Sequence, residues 1–396
     1  MTREELKILL SQGPVLLDGA MGTMLMKRGL QPGRLPESMC LEHPQAVTDI
    51  HKAYLEAGSR VVYTNTFGAN APRLARAGLT VEQVVSAAVA CARRAAEPCG
   101  GLVALDLGPT GQMVEPMGSL TFEEACELYA AQVRAGVQAG ADLAVIESMT
   151  DLYETKAALL AVKEHSSLPV LCSMSFESSL RTYTGCHVDC MVITLEDLGA
   201  DAVGANCSAG PVQLQPVAAA LLERAAGPVL VKPNAGLPVT RPDGTQGYDI
   251  GSGEFARCLA RFAAQGAALV GGCCGTDPDY LREAALALRG AAALPRPARD
   301  NSGLICSASK LCRYGPGTPV TSVALTGSAD DDLDAASEAL YNGSEALVLD
   351  LGRQDDPRDE IKAIQATVNL PLVLAGGSPE ALQKALRVCS GRPGRI

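Results

Sequence analysis

Leu143-Ala144-Val145-Ile146-Glu147, then a helical stretch over 151–164, then Pro169-Val170-Leu171-Cys172-Ser173: this passage holds a short apolar run, a polar turn, a helix and a second apolar run. Both runs have the length of buried strands, and the stretch between them is long enough to return the chain for a parallel pairing. The same phrase recurs from residue 13 to residue 290. Its strand-like runs are 15–18, 60–66, 102–107, 143–147, 169–173, 202–206, 229–232 and 268–270. Helical stretches between them include 44–57, 81–95, 121–139, 151–164, 212–225, 253–265 and 278–289. Alternation of this kind implies parallel strands with right-handed crossovers, and eight units in this length match a closed (β/α)8 barrel. A doubly wound open sheet is the competing α/β architecture. It is disfavoured because Gly19-Ala20-Met21-Gly22-Thr23, after the first run, lacks the Gly-x-Gly-x-x-Gly spacing of a dinucleotide turn.

The chain has 396 residues, more than one ordinary domain. The expected division is a barrel over 1–290, a linker over 291–297 with two prolines, and a smaller α/β module over 298–396. Within that module, strands are expected at 320–325, 346–351 and 370–374, and helices near 330–342, 358–367 and 379–388. The formal net charge of −11 argues against a nucleic-acid groove or an anionic membrane face. No apolar run reaches the roughly 18 residues of a spanning helix. Met1-Thr2-Arg3-Glu4-Glu5 does not open a secretory signal, so a cytoplasmic protein is expected. The 14 cysteines then read as reduced thiols, most of them packed as small apolar side chains.

Polar residues gather just after the strand-like runs, at the face where a barrel enzyme places its chemistry. Cys207 follows one run, and Gly271-Gly272-Cys273-Cys274-Gly275 follows another. Neighbouring residues on a strand point to opposite faces, so Cys273 and Cys274 can share a metal only where the strand ends. Three thiolates at one rim would form a zinc site with a fourth position open to a substrate thiol. Three buried thiols in a cysteine-rich chain are the alternative. Asp18 and Glu147 end two runs and could hold a substrate ammonium or act as bases; helix capping or a salt bridge is the ordinary explanation of a single carboxylate. Asn65, Asn206 and Asn234 could position substrate or simply form turns. Cys186-His187 with Cys190 resembles part of a metal motif, and His51 reads as structural.

Several motifs together resemble the homocysteine S-methyltransferase family. They are Leu17-Asp18-Gly19-Ala20-Met21-Gly22-Thr23, Thr64-Asn65-Thr66-Phe67-Gly68, Gly108-Pro109-Thr110-Gly111, Gly204-Ala205-Asn206-Cys207-Ser208, Pro233-Asn234-Ala235-Gly236-Leu237-Pro238 and Gly271-Gly272-Cys273-Cys274-Gly275-Thr276. The similarity is greatest to the homocysteine-binding module of cobalamin-dependent methionine synthases. It implies a zinc barrel in which Cys207, Cys273 and Cys274 are the ligands and Asp18 and Glu147 lie near the amino group of homocysteine. Asn234 would be a candidate weak ligand when substrate is absent. Where the family usually has Glu-Thr, this chain has Glu147-Ser148, which keeps the hydroxyl.

The module over 298–396 resembles the start of a pterin-binding barrel, but Asp350-Leu351-Gly352 and Ala375-Gly376-Gly377 lack that barrel's polar signatures. It is expected to be incomplete, to stop before a fourth strand, and to cover its open edge by a helix, a loop or self-association. The resulting expectation is a zinc enzyme that moves a methyl group onto homocysteine, with a separate methyl-corrinoid protein as donor. S-methylmethionine, a betaine-type donor, or a non-catalytic docking subunit are the alternatives.

Overall fold

The computed structural model describes residues 1–31, 33–240 and 246–396. Eight strands, β1 (Val15–Leu16), β2 (Val61–Tyr63), β3 (Leu102–Leu107), β4 (Leu143–Met149), β5 (Val170–Met174), β6 (Ala202–Asn206), β7 (Val229–Lys232) and β8 (Leu269–Val270), form one parallel sheet. Neighbours run β1-β8-β7-β6-β5-β4-β3-β2, and a parallel bridge between Leu17 and Val61 closes the ring. Around it lie α1 (Pro44–Glu56), α2 (Val81–Ala96), α3 (Phe122–Gln138), α4 (Leu152–His165), α5 (Val188–Asp197), α6 (Gln215–Arg224), α7 (Ser252–Ala264) and α8 (Pro278–Ala287). The (β/α)8 barrel expected from the repeated phrase is therefore what the chain forms.

Local chemistry sets the helix starts. Thr80 with Gln83 and Thr121 with Glu124 form capping boxes that satisfy the first orphan amides of α2 and α3. Asp151 caps α4 by accepting from the Glu154 amide. The helix α5 was absent from the expected helical stretches. His187, read in the sequence as part of a metal motif, is its N-cap: Nδ1 accepts from the Asp189 amide at 3.2 Å. Cys186 and Cys190 flank it as buried thiols.

Strand alternation decides which residues fill the barrel. Leu143 and Val145 of β4, Leu171 of β5, Ala202 of β6, Leu230 of β7 and Ala104 of β3 belong to one interior apolar cluster. Two residues further along the same face stand Glu147, Ser173, Lys232 and Asp106, and Asn206 stands four residues past Ala202. The last (C-terminal) layer of the interior is thus polar, and every member is buried. Burying that many polar groups costs several kcal/mol unless they satisfy one another.

The remaining chain adds a hairpin (Leu304–Cys306 with Leu311–Arg313) and β9 (Val320–Ala324), α9 (Ala329–Tyr341), β10 (Ala346–Asp350), α10 (Arg358–Thr367), β11 (Leu372–Ala375), α11 (Pro379–Val388) and β12 (Gly394–Arg395). Its parallel sheet runs β9-β10-β11-β12. The expectation that the module stops before a fourth strand is corrected: β12 pairs Gly394 with Val373 and Arg395 with Leu374. A strand made of one glycine and one arginine leaves no apolar run to read. Helices cover one face through Leu349, Ile361 and Leu374, and the hairpin covers the other through Ile305 and Cys312.

Specific contacts fasten this module to the barrel. The buried Lys156 ammonium of α4 donates to the Leu386 and Cys389 carbonyls at 2.7 Å each, at the end of α11. A cation there complements the helix dipole as well as the unpaired carbonyls. Arg387 pairs with Glu123 and Glu164, and Lys362 with Glu115.

Candidate active site

At the C-terminal mouth of the barrel, Cys207 after β6 and Cys273 and Cys274 after β8 bring three sulfurs within 4.8 Å of one another. The Cys207 and Cys274 sulfurs are 3.8 Å apart. Tetrahedral zinc with Zn–S bonds of about 2.3 Å places its sulfurs roughly 3.8 Å apart, so the donor set fits that ion in type and spacing. Among the described residues this is the only group of three or more metal-binding side chains so assembled.

The backbone is shaped to allow it. Cys207 and Ser208 hold positive φ values of 59° and 58°, and Ser148 across the mouth holds 57°. Left-handed backbone costs a non-glycine residue about 1–3 kcal/mol, and such residues cluster at working sites. Gly275 has φ +81°, and an added Cβ would lie 2.2 Å from the Tyr248 ring. Gly271 and Gly272 are required for a different reason. Side chains there would collide with Leu17 at 2.8 Å and with Thr276 at 2.4 Å, so close approach is the constraint. The loops are tied together by Cys207 N to Lys232 O (3.2 Å), Cys273 N to Pro233 O (2.7 Å) and Ala235 N to Cys274 O (2.9 Å).

Burial and the thiols' mutual contacts leave all three raised. Cys273 lowers the Cys207 thiol by hydrogen bonding, but Cys274 and burial leave it at about 11. Cys207 lowers Cys274 in turn, yet Cys273 and burial leave that thiol at about 12. Cys273 is raised further, first by Cys207. Thiols in this state take a cation by giving up protons.

Beneath the sulfurs lies the polar layer. Asn206 Oδ1 accepts from the Ser148 amide and the Ser173 hydroxyl, both at 2.8 Å. Its Nδ2 donates to the Ser148 hydroxyl at 2.7 Å and Glu147 Oε2 at 3.3 Å, and lies 3.9 Å from Cys273 Sγ. Asp18 Oδ2 accepts from the Tyr63 amide at 2.7 Å, taking the place of a strand carbonyl where β1 stops pairing with β2. Lys232 Nζ lies 3.4 Å from Asp18 Oδ1 and 3.6 Å from Glu147 Oε2, and 4.2 Å from the centre of the Tyr63 ring. Burial pushes the Asp18 carboxyl up to about 6 against the pull of Lys232. Burial alone would lower the Lys232 ammonium, but Glu147 and Asp18 hold it well above its usual value. Asp106 is raised by burial and then by Glu147.

The structure therefore brings together Cys207, Cys273, Cys274, Asn206, Glu147 and Asp18. Asn234 is buried over the same loops, and its Oδ1 has no hydrogen-bond partner among the described residues. Asn65 is used differently: its amide donates to the Pro36 carbonyl at 2.7 Å and to Cys40 Sγ at 3.4 Å, fastening a neighbouring loop. Lys232 was missed by the sequence reading. Its signal was a lysine closing the apolar run Val229-Leu230-Val231, in phase with the interior face.

A family model described as homocysteine S-methyltransferase matches residues 15–288. Methionine synthase of Mycobacterium tuberculosis is 33% identical over 315 residues, covering 74% of this chain and 26% of that protein. Its counterpart in Mycobacterium leprae is 31% identical, covering 78% and 26%. The chain thus spans about a quarter of the length of the curated relatives it matches. The homocysteine methyltransferase MmuM of Escherichia coli aligns in its metallated form with a TM-score of 0.61 and 25% identity, over 71% of this chain and 98% of that one. Its oxidized form aligns with a TM-score of 0.60 and 26% identity, over 70% and 96%. With the fold, the thiol cluster and these matches in agreement, the chain belongs to the homocysteine S-methyltransferase family.

Proposed function

We propose that this protein transfers a methyl group to the thiol of homocysteine, giving methionine, with zinc held by Cys207, Cys273 and Cys274. The observation that carries the reading is the cluster of three sulfurs within 4.8 Å, directly above the buried carboxylates. A zinc ion held by these three thiolates would lower the pKa of a substrate thiol and leave its sulfur nucleophilic. The chain's own groups do the rest. Glu147 and Asp18 receive the substrate ammonium, and Asn206 fixes the Glu147 carboxylate through Nδ2 while Ser148 and Ser173 hold its Oδ1. Asn234 Oδ1 offers a further acceptor at the mouth. The thiol proton leaves to solvent. As the new S–C bond forms, the bond between the methyl and its carrier breaks, and its electron pair stays on the carrier.

We take the donor to be a methyl group carried by a corrinoid protein. Met26, Phe67, Met117, Tyr183 and Leu237 are exposed on segments that follow barrel strands, the side of the barrel that carries the thiols. An apolar rim of this kind suits a protein that presents its methyl group at the opening. The test is to incubate zinc-loaded protein and homocysteine with a methyl-corrinoid protein, S-methylmethionine or betaine, and to measure methionine by mass spectrometry. Methionine from the corrinoid donor supports the reading. Turnover with a small donor alone would reassign the donor. Homocysteine binding without turnover by any donor would point to a docking subunit, and no homocysteine binding would refute the reading.

A further inference from the structure

We propose that Lys232 is the positioning residue that makes the mouth select a thiol bearing one ammonium group; this rests on the reading of homocysteine as acceptor. Lys232 ends β7 with 3% of its surface exposed. Its Nζ reaches Asp18 at 3.4 Å and Glu147 at 3.6 Å, so it joins the rim ends of β1, β4 and β7. The Tyr63 ring lies against the ammonium at 4.2 Å. No other lysine or arginine forms an ion pair with Asp18 or Glu147 among the described residues.

Charge counting shows what this does. Asp18 and Glu147 together carry two negative charges, and Lys232 returns one, leaving a net charge that a single ammonium completes. Two buried carboxylates without a cation repel each other and come to share a proton, so one oxygen that should accept from the ligand becomes a donor or swings away. Lys232 prevents both outcomes. It also leaves acceptors available: Asp18 Oδ1 faces the lysine at 3.4 Å without accepting a hydrogen bond among the described residues, and Lys232 and Asn206 both meet Glu147 at Oε2 rather than Oε1. A thiol of the same length without the amino group leaves this net charge uncompensated in the closed mouth and is disfavoured.

The test uses the zinc-loaded full chain with homocysteine and with 4-mercaptobutanoate, which keeps the thiol and carboxylate and lacks the ammonium. Dissociation constants are measured by calorimetry for the wild type, Lys232→Met and Lys232→Arg, beside zinc content and unfolding midpoint. The wild type should prefer homocysteine. In Lys232→Met that preference should fall by about tenfold or more, equivalent to losing one charge-assisted contact, with zinc and 4-mercaptobutanoate affinity unchanged. Lys232→Arg, which keeps the charge, should retain most of the preference and serves as the test should the methionine variant not fold. An unchanged preference in folded Lys232→Met, or a preference lost in Lys232→Arg with zinc retained, would overturn the proposal. Wild type that binds neither thiol would refute the acceptor reading instead, and this proposal with it.

Discussion

Loading the metal-free protein with zinc should release close to three protons per ion at pH about 7.5, one from each of Cys207, Cys273 and Cys274. The count comes from the thiols as the fold holds them. Cys207 stands at about 11 and Cys274 at about 12, with Cys273 raised further still. At pH about 7.5, fewer than about one in a thousand of each is ionised. Coordination requires the thiolate, so ligation by all three must expel all three protons. By the same arithmetic, apparent zinc affinity should fall roughly a thousandfold for each unit of pH lowered. The assay strips metal with a chelator, exchanges the protein into weak buffer containing a pH indicator, and titrates zinc. Cys274→Ser should release about two protons and bind more weakly while the barrel stays folded. One proton or none from the wild type would refute the three-thiol assignment, as would three from Cys274→Ser.

Asp18→Ala should be less stable than Asp18→Asn by about 1–3 kcal/mol in denaturant unfolding, because only asparagine keeps an acceptor for the buried Tyr63 amide; equal stabilities would exclude that role. Burial raises the folded Asp18 carboxyl to about 6 from 3.8, so the folded state holds the extra proton and this group's contribution to stability is lost as pH rises through that window. The stability of the wild type relative to Asp18→Asn should accordingly decline between about pH 4 and 6, and a flat difference would contradict it. Glu147→Ala should weaken homocysteine binding by ~1.5–3 kcal/mol, roughly 10- to 150-fold, with zinc content intact; loss of zinc would make Glu147 part of the metal site's support. Lys156→Met should leave the Leu386 and Cys389 carbonyls unpaired and loosen α11 by about 2–4 kcal/mol, seen as earlier proteolysis of residues 298–396 with the barrel intact. Cys186→Ser and Cys190→Ser should leave zinc content unchanged, since His187 between them is a helix cap.

The eight apolar runs and their spacing were legible because strand length and helix length are local properties, and parallel strands buried on both faces leave continuous apolar text. The placement of Cys207, Cys273 and Cys274 at strand ends was legible for the same reason. The helix Val188–Asp197 escaped because Cys186-His187 was weighed as a ligand pair, whereas a histidine at a helix start can be its cap. Asn65 was grouped with the mouth because it follows a strand, yet its amide serves a neighbouring loop. Sequence by itself determined the barrel, the thiol set and the carboxylates after β1 and within β4. Only the tertiary structure decided that Lys232 is buried between Asp18 and Glu147. A lysine at the end of an apolar run reads equally as a solvated terminus, and what turns it inward is ring closure, which seats β7 beside β8 and β8 beside β1 and brings together charges more than 200 residues apart in the chain.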